Sequence, residues 1–290
     1  MKIAFIDYWR SLDPHRGGRN WIWEQLSDIA ELSPPWAADL LIGSNYGSTW
    51  KLYPHTPRIF HTAEPWYKTE ADAQRDALHT FGFEPDGERT TRLPNWLFYL
   101  QPGRDYTASG NITAEKIACR RPKILAVVTN PYCPERTRFM QAAIQAGLMD
   151  SMGAHLPTHP RIADKATACT MYRGVLAYEN TSIQPGYITE KIIHAINADA
   201  VPIYWGTEQT DFNPSRLVNR TDFPTDAALL DHLHQLLHDP AAVAEIGNRP
   251  AFLPGQDPRA HIRQRIREVA FNTPPLQHLR MLGNHLKQLG

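Results

Sequence analysis

The sequence predicts an α/β protein of two domains, each built on a parallel β-sheet that helices cover on both faces. The length of 290 residues suits two ordinary domains. Short apolar runs bounded by Asp, Gly and Pro recur along the chain and are typical of buried parallel strands. Amphipathic stretches alternate with these runs, and such alternation is typical of parallel sheets with helical crossovers.

The first half of the chain contains three predicted strands and one predicted helix. The strands are expected at residues 2–7, 38–43 and 57–62, and the helix at residues 20–32. The helix is predicted because Trp21, Ile22, Leu26 and Ile29 recur at helical spacing. A stretch from residue 101 to 114 contains Gly, Asn and Thr and interrupts the pattern, so we expect a domain boundary near residue 118.

The second half repeats the same alternation. We expect strands at residues 123–128, 174–178 and 201–205, and helices at residues 134–148, 189–197, 226–238 and 240–246. Two Rossmann-like domains follow, at residues 1–118 and 119–258, with a basic helical segment at 259–290 that packs back on the first domain. Such domains bind ligands at the carboxyl ends of their strands, so we expect functional side chains there, in a cleft between the domains.

Composition excludes several classes of protein. The chain carries 30 Lys and Arg against 30 Asp and Glu, so its formal net charge is zero, and a nucleic-acid partner is not expected. No apolar run approaches the ~20 residues of a membrane-spanning helix. Asp7 and Arg10 interrupt the apolar start before it reaches the ~7–15 residues of a signal peptide, which predicts a cytoplasmic protein. Three unpaired cysteines are expected to be reduced thiols.

The densest chemical signal lies in three blocks of the second half. They are Tyr178-Glu179-Asn180-Thr181, Gly186-Tyr187-Ile188-Thr189-Glu190-Lys191 and Val201-Pro202-Ile203-Tyr204-Trp205-Gly206. Thr189 is a candidate N-cap, which places Glu190 and Lys191 in the first turn of a helix. A cation there is unfavourable unless an anion lies beside it, so Lys191 is a candidate diphosphate ligand; a solvated surface lysine is the alternative.

These blocks resemble the family 10 glycosyltransferases, the α-1,3/4-fucosyltransferases, whose signature is F-E-N-S, then Y-x-T-E-K, then V-P-x-Y-x-G. Three further blocks match the family: Val128-Thr129-Asn130 followed by Arg136, Phe60-His61-Thr62-Ala63-Glu64-Pro65, and Asp76 to Phe83 followed by Arg92-Leu93-Pro94. They resemble V-x-S-N with an arginine six residues on, F-Y-T-G-E-N, and D-Y-A-I-G-F followed by R-L-P. Four positions depart from the pattern, namely Ala63, Pro65, Tyr178 and Thr181.

The resemblance implies a GT-B architecture, with two Rossmann-like domains facing a cleft. It also implies inverting transfer of L-fucose from GDP-fucose to a hydroxyl, such as O3 of GlcNAc, in a lactosamine-type oligosaccharide or a lipopolysaccharide glycan. The first domain would bind the acceptor and the second GDP-fucose. Ala63 and Pro65 make the acceptor geometry, and with it the acceptor and the α1,3 or α1,4 linkage, the least determined part of this expectation.

The resemblance also assigns roles to individual residues. Glu64, which follows a predicted strand, matches the general base, and Glu190 is the second catalytic carboxylate. The candidate donor-binding residues are Arg136, Lys191, Tyr187, Asn180, Asn130 and Glu179. We expect Arg138, two residues from Arg136, to be solvated. Trp9 and His61 are candidate acceptor contacts, because sugar rings stack on aromatic faces.

No metal or cofactor is expected beyond GDP-fucose as the donor substrate. No two Asp lie at i, i+2, and His232, His234 and His238 lack a carboxylate-rich companion motif, so Arg136, Lys191 and helix dipoles are expected to replace a metal ion. Residues 257–290 carry a net charge of +4, which predicts peripheral contact with an anionic inner membrane. With no anchor and stem at its start, the chain is expected to be bacterial.

Two other functions remain open from the sequence. One is a GT-B transferase that uses a different nucleotide sugar. The other is a nucleotide-sugar or glycan-binding protein without turnover, against which the retention of both Glu64 and Glu190 counts.

Overall fold

The structure is a computed structural model that describes residues 1–64, 77–182, 185–207 and 211–272. The chain divides into two compact units. The first unit comprises residues 1–98 and 258–290, and the second unit comprises residues 99–257. Each unit contains its own parallel sheet.

The described sheet of the first unit has the strand order β2-β1-β3-β4-β5-β6, and all its pairs are parallel. The strands are β1 (Lys2–Ile6), β2 (Glu31–Leu32), β3 (Leu40–Ser44), β4 (Arg58–His61), β5 (His79–Gly82) and β6 (Thr90–Arg92). Every residue of β3 and β4 is buried, as expected for central strands covered on both faces. The three predicted strands of this half are therefore confirmed.

The first predicted helix is shorter than its apolar pattern indicated. Helix α1 (Trp21–Leu26) begins after Asn20, whose side-chain oxygen accepts hydrogen bonds from the backbone N–H groups of Ile22 and Trp23. The chain then turns, and the backbone N–H of Glu31 donates to the carbonyl of Met1 at 3.0 Å. The prediction of a helix through residue 32 was wrong because residues 31 and 32 pair with the sheet edge as β2.

The described sheet of the second unit has the order β11-β10-β9-β7-β8 and is also parallel throughout. Its strands are β7 (Arg121–Ala126), β8 (Met149–Ser151), β9 (Tyr172–Tyr178), β10 (Val201–Trp205) and β11 (Val218–Asn219). Its helices are α2 (Ala114–Ala118), α3 (Pro134–Gln145), α4 (Lys165–Thr170), α5 (Glu190–Asn197), α6 (Asp226–His238) and α7 (Pro240–Asn248). The predicted strands and helices of this half are present, with bounds shifted by up to three residues.

The core of the second unit explains these helices. On α6, Leu229, Leu233 and Leu237 recur every four residues and are fully buried. They belong to one cluster with Ile124 of β7 and Ile203 of β10, so the apolar face of the helix covers the sheet. The helix predicted at residues 226–238 is therefore present, with its leucines on the buried face.

Residues 99–118 lie with the second unit, whereas the sequence suggested a boundary near residue 118. The side-chain amide of Asn248, at the end of α7, accepts a hydrogen bond from the Ile112 backbone N–H at 2.7 Å and donates to the Ile112 carbonyl at 2.8 Å. Asn197 donates to the Tyr99 carbonyl at 2.9 Å. The backbone of this stretch is therefore bonded to asparagine side chains at the helix ends of the second unit.

Helix α8 (Arg259–Asn272) belongs to the first unit, where its arginines contact α1 and the turn after it. The Nε of Arg263 donates to Oε1 of Gln25 at 2.6 Å, and Arg267 donates to the Gln25 carbonyl and to the carboxylate of Asp28. Residues 273–290, with Arg280 and Lys287 of the predicted basic segment, lie outside the described residues. Membrane contact stays a prediction. No helix among the described residues is long and apolar enough to cross a bilayer.

We expect three buried histidines, His61, His79 and His194, to make the stability of the fold sensitive to mild acid. Burial lowers the pKa of His61 to about 3 and the pKa of His79 and His194 to about 4. An unfolded histidine titrates near 6.5, so below that pH the unfolded chain binds protons that the folded chain does not. We expect the urea midpoint to fall progressively as the pH decreases from about 6.5 to about 4.5.

Urea titrations at several pH values in that range test this expectation. The His79→Gln variant lacks one of the three groups and should lose less stability over the same range. A midpoint that does not change between pH 6.5 and 4.5 would contradict the expectation.

Candidate active site

The candidate donor residues lie where the strand order of the second sheet reverses. From β7 the chain crosses to β8 on one side and then returns to β9 on the other. Because β7 and β9 are parallel neighbours, the segments that follow them begin side by side at the carboxyl ends of the strands. In open parallel sheets this position is where ligands bind.

Arg136 joins the two segments. It lies in the first turn of α3, and its Nη2 donates to the Asn130 carbonyl at 2.7 Å while its Nη1 donates to Oδ1 of Asn180 at 2.7 Å. Its side chain is 1% exposed, and its Nε has no hydrogen-bond partner among the described residues. Burial lowers the pKa of Arg136, against the attraction of Glu179. The structure thus brings three predicted donor residues, Arg136, Asn130 and Asn180, into contact.

Glu179 is a buried carboxylate with every contact directed at the start of α5. Its Oε1 accepts from the Thr189 backbone N–H at 2.7 Å, and its Oε2 accepts from the Thr189 hydroxyl at 2.7 Å and from Nζ of Lys191 at 3.0 Å. Thr189 is the N-cap residue, as predicted, but the carboxylate of Glu179 makes the capping hydrogen bond. Glu179 is fully buried, so its carboxylate holds Lys191 and the helix start and has no surface open to solvent.

Lys191 is held in place and is 17% exposed at its side chain, which rules out the alternative of a solvated surface lysine. Its Nζ donates to Glu179 and, at 2.7 Å, to the hydroxyl of Thr189. Burial alone would lower its pKa, but Glu179 and Glu190 raise it. An ammonium group has three N–H donors, so one remains for a ligand.

Glu190 is the first residue of α5 and is 24% exposed at its side chain. Burial alone would raise its pKa, but Lys191, whose Nζ is 3.9 Å away, and Lys165 lower the pKa to about 2. Glu190 is therefore ionised at neutral pH. Tyr187, a further predicted donor residue, is 1% exposed, and its hydroxyl accepts a hydrogen bond from Nδ2 of Asn180 at 3.3 Å.

Lys165 belongs to the same cluster, and the motif comparison missed it. It is the first residue of α4, and its charge acts on Glu190 and Lys191. It has no ion pair within 4 Å in the part of the chain that the structure describes. Burial lowers its pKa. The signal that selected Arg136 and Lys191, a cation at the start of a predicted helix, did not reach Lys165, because the sequence predicted no helix there and the preceding strand ends at Ser151.

Gly206 explains why the third motif block ends in glycine. A Cβ at this position would lie 2.5 Å from the hydroxyl oxygen of Tyr204 and 2.9 Å from Cγ of Glu179. A side chain would therefore displace the carboxylate that holds Lys191. The third block thus supports the first and second blocks by leaving room for Glu179.

Tyr178 departs from the phenylalanine of the family pattern, and the structure shows the cost of the change. Its ring stacks on Phe139 with centroids 4.8 Å apart, and its hydroxyl is buried without a hydrogen-bond partner among the described residues. Burying an unpaired hydroxyl costs about 1–3 kcal/mol. We expect Tyr178→Phe to raise the free energy of unfolding by about 1 kcal/mol, measured by urea denaturation. A stability equal to or below that of the unchanged protein would contradict this expectation.

The first unit holds the predicted base. Glu64 follows β4 by three residues and is partly buried. Its backbone N–H and carbonyl both contact the hydroxyl of Thr62, at 3.4 and 2.9 Å, and Oδ1 of Asn45 accepts from the Ala63 N–H at 3.4 Å. Asn45 follows β3, so the segment with Glu64 is attached to the end of the neighbouring strand. Pro65 lies outside the described residues.

The two candidate acceptor residues differ in exposure. Trp9 is 55% exposed, and its ring lies against Tyr46 with centroids 4.7 Å apart, which forms an aromatic surface after β1 and β3. His61 is 2% exposed and is stacked between Tyr8 and Phe98, with its Nδ1 3.1 Å from the Tyr8 hydroxyl. Its Nε2 has no partner among the described residues. Tyr46 was not selected from the sequence.

The described part of the chain contains no group of three or more His, Cys, Asp or Glu side chains arranged to hold a metal ion. His234 and His238 stack on each other with centroids 4.6 Å apart on α6. Metal independence stays a prediction.

Comparison with solved structures identifies the class of fold. A crystal structure described as alpha1,3-fucosyltransferase with GDP superposes with a TM-score of 0.70 at 21% identity, covering 94% of this chain and 91% of that one. A structure of alpha1,3-fucosyltransferase with GDP-fucose gives a TM-score of 0.65 at 20% identity, covering 92% of this chain and 90% of that one. The predicted GT-B fold with two Rossmann-like domains is confirmed.

Sequence comparison agrees with the motifs. Residues 120–245, within the second unit, match the family described as glycosyltransferase family 10 (fucosyltransferase) C-term, so the resemblance read from the motifs is confirmed. The alpha-(1,3)-fucosyltransferase FucT of Helicobacter pylori is 25% identical over 279 residues, which cover 81% of this chain and 57% of that protein. The alpha-(1,4)-fucosyltransferase of Arabidopsis thaliana is 35% identical over 80 residues, which cover 27% of this chain and 20% of that protein. The chain thus spans little more than half of the first relative and a fifth of the second.

Proposed function

We propose that the protein transfers L-fucose from GDP-fucose to a hydroxyl of an oligosaccharide, with inversion at the anomeric carbon. The observation that carries the proposal is the cluster at the switch point of the second sheet, where Lys191 contacts Glu179 and Glu190, and where the charges of Arg136 and Lys165 also act on these carboxylates. The family 10 match and the solved relatives bound to GDP and GDP-fucose support this donor.

The charges of the cluster suit a nucleoside diphosphate. Three cations, Arg136, Lys191 and Lys165, stand against two carboxylates, Glu179 and Glu190, so a diphosphate would add the missing negative charge. Free donors are also available. Lys191 retains one N–H, and the buried Nε of Arg136 is unpaired among the described residues. These cations take the place of the metal ion that other glycosyltransferases use, so activity in a chelator is part of the proposal.

Glu64 is the proposed general base. It removes the proton from the acceptor hydroxyl as the hydroxyl oxygen attacks the anomeric carbon of fucose on the face opposite the diphosphate. The bond between that carbon and the phosphate oxygen breaks, and GDP leaves with the electron pair. Glu190, held ionised by Lys191 and Lys165, stabilises the positive charge that develops on the sugar ring.

The acceptor is proposed to carry GlcNAc, with O3 as the hydroxyl that receives fucose. The exposed ring of Trp9, which lies against the partly buried Tyr46, offers a stacking surface for a sugar ring in the first unit. A lactosamine-type oligosaccharide or a lipopolysaccharide glycan would present such a ring.

A donor panel of GDP-fucose, GDP-mannose and UDP-glucose, assayed in EDTA with type 1 and type 2 lactosamine acceptors, tests the proposal. We expect GDP release and fucosylated product from GDP-fucose alone, with NMR of the product reporting the linkage and the inverted anomeric centre. Transfer from another donor would favour the alternative GT-B transferase. Tight GDP-fucose binding with neither transfer nor hydrolysis would favour the non-catalytic binding protein.

A further inference from the structure

The second unit contains a cavity of about 470 Å³, and no residue proposed above for fucose transfer lines it. Its walls come from the stretch at residues 101–111, the turn after α5, and the end of α7. Three of its lining residues are arginines, namely Arg104, Arg216 and Arg249.

The cavity lies at the amino ends of the strands of the second sheet. The donor cluster, which is Arg136, Lys165, Glu179, Glu190 and Lys191, lies at their carboxyl ends. Arg216, in its wall, donates from Nη1 to the carbonyl of Ala200 at 2.9 Å, and Ala200 immediately precedes the first residue of β10. The donor residues follow the last residues of β7 and β9. In a parallel sheet these positions are opposite ends of the strands, so the cavity is a separate site from the donor cluster.

Two of the three guanidinium groups already have carboxylate partners. Nη2 of Arg104 lies 2.6 Å from Asp199, and Nη2 of Arg249 lies 2.5 Å from Glu245. Both arginines also donate to backbone carbonyls, of Asn197 and Ser215 respectively. These pairs fix the two side chains in the cavity wall, and each guanidinium retains further N–H groups.

Arg216 differs from them. It is 1% exposed, it has no ion pair within 4 Å among the described residues, and its Nη2 is buried without a hydrogen-bond partner there. Burial lowers its pKa to about 10, with Asp199 acting in the opposite direction, so it remains a cation at neutral pH. A buried cation with an unsatisfied donor is costly unless an anion accepts from it.

We infer that this cavity is a second anion-binding site, which takes a small molecule bearing a phosphate group through Arg216, Arg104 and Arg249. Guanidinium groups suit phosphate because their planar N–H pairs match its oxygens. Asp105 and Asp199 also line the cavity. Because their carboxylates repel further negative charge, the cavity favours a ligand with one phosphate group over a polyanion. The volume exceeds that of inorganic phosphate, so an organic substituent fits as well.

Calorimetry with saturating GDP present, so that the donor cluster is occupied, tests the inference. The probes are inorganic phosphate and glycerol 3-phosphate, with glycerol as the uncharged control. We expect both phosphates to bind with a stoichiometry of one and glycerol not to bind. Absence of phosphate binding, or equal binding of glycerol, would overturn the inference.

Variants locate the binding. Arg216→Met and Arg104→Met should each weaken phosphate binding tenfold or more without changing the affinity for GDP. Arg138 is an exposed arginine outside the cavity, so Arg138→Met should leave phosphate binding unchanged. Arg104 is partly exposed at its side chain, so its variant serves if the buried Arg216 variant does not fold. Phosphate affinity in the Arg104 variant equal to that of the unchanged protein would overturn the inference.

Discussion

Replacing Glu64 with glutamine is expected to reduce the rate of fucose transfer by about 10²–10⁴-fold, because an amide of nearly the same shape cannot accept the hydroxyl proton. Glu64 belongs to the first unit and the donor cluster to the second, so the affinity for GDP should stay close to that of the unchanged protein. Initial rates with GDP-fucose and a lactosamine acceptor, together with GDP calorimetry, measure the two effects separately.

Glu88→Gln is the matched control, because Glu88 is an exposed glutamate of the same unit. It should retain full activity. Activity of the Glu64→Gln variant within a factor of two of the control would remove Glu64 as the base. A parallel loss of GDP affinity would instead indicate that the substitution disturbs more than proton transfer.

Arg136→Ala is expected to weaken GDP binding by about 10–100-fold, the effect of losing hydrogen bonds to a charged group. It should also lower stability, because Arg136 joins the Asn130 carbonyl to the side chain of Asn180. Arg138→Ala is the control: Arg138 lies two residues away, is 64% exposed and pairs with Asp226 at 3.2 Å. Calorimetry below the unfolding temperature of both variants compares their GDP affinities.

An Arg136→Lys variant separates charge from geometry. A lysine keeps the positive charge, but its single Nζ cannot donate along the two directions that a guanidinium fork provides. A GDP affinity between those of Arg136→Ala and the unchanged protein would show that the positive charge contributes to binding. The remaining loss would come from the missing bridge between Asn130 and Asn180. GDP affinity that is the same in Arg136→Ala, Arg138→Ala and the unchanged protein would show that Arg136 does not contribute to donor binding.

The strands that could be predicted are those with enough buried residues to make a continuous apolar run. β3, β4, β9 and β10 are buried along almost their whole length, and all four were predicted. β2 and β11 have two residues each, too few for any periodicity to be visible. β5 begins with His79 and Thr80, whose burial depends on the neighbouring strands and not on their own polarity.

The sequence predicted most residues of the candidate site but not the contacts between their side chains. The motifs selected Arg136, Asn130 and Asn180, yet motifs do not reveal that one side chain bonds the other two across neighbouring strands. Glu179 was selected as a donor residue, and its fully buried position, from which it caps α5, could not be read from the motif. Lys165 was missed because it matches no motif and begins a helix of six residues that the sequence did not predict.

Glu179 also determines how the site can change by mutation. It contacts Thr189 and Lys191 in the second block and would contact any side chain added at Gly206 in the third. Substitutions at these positions should therefore be strongly epistatic, with double-mutant cycles giving large coupling energies. Through Glu179, each block thus limits which side chains the other two can tolerate at the positions that contact it.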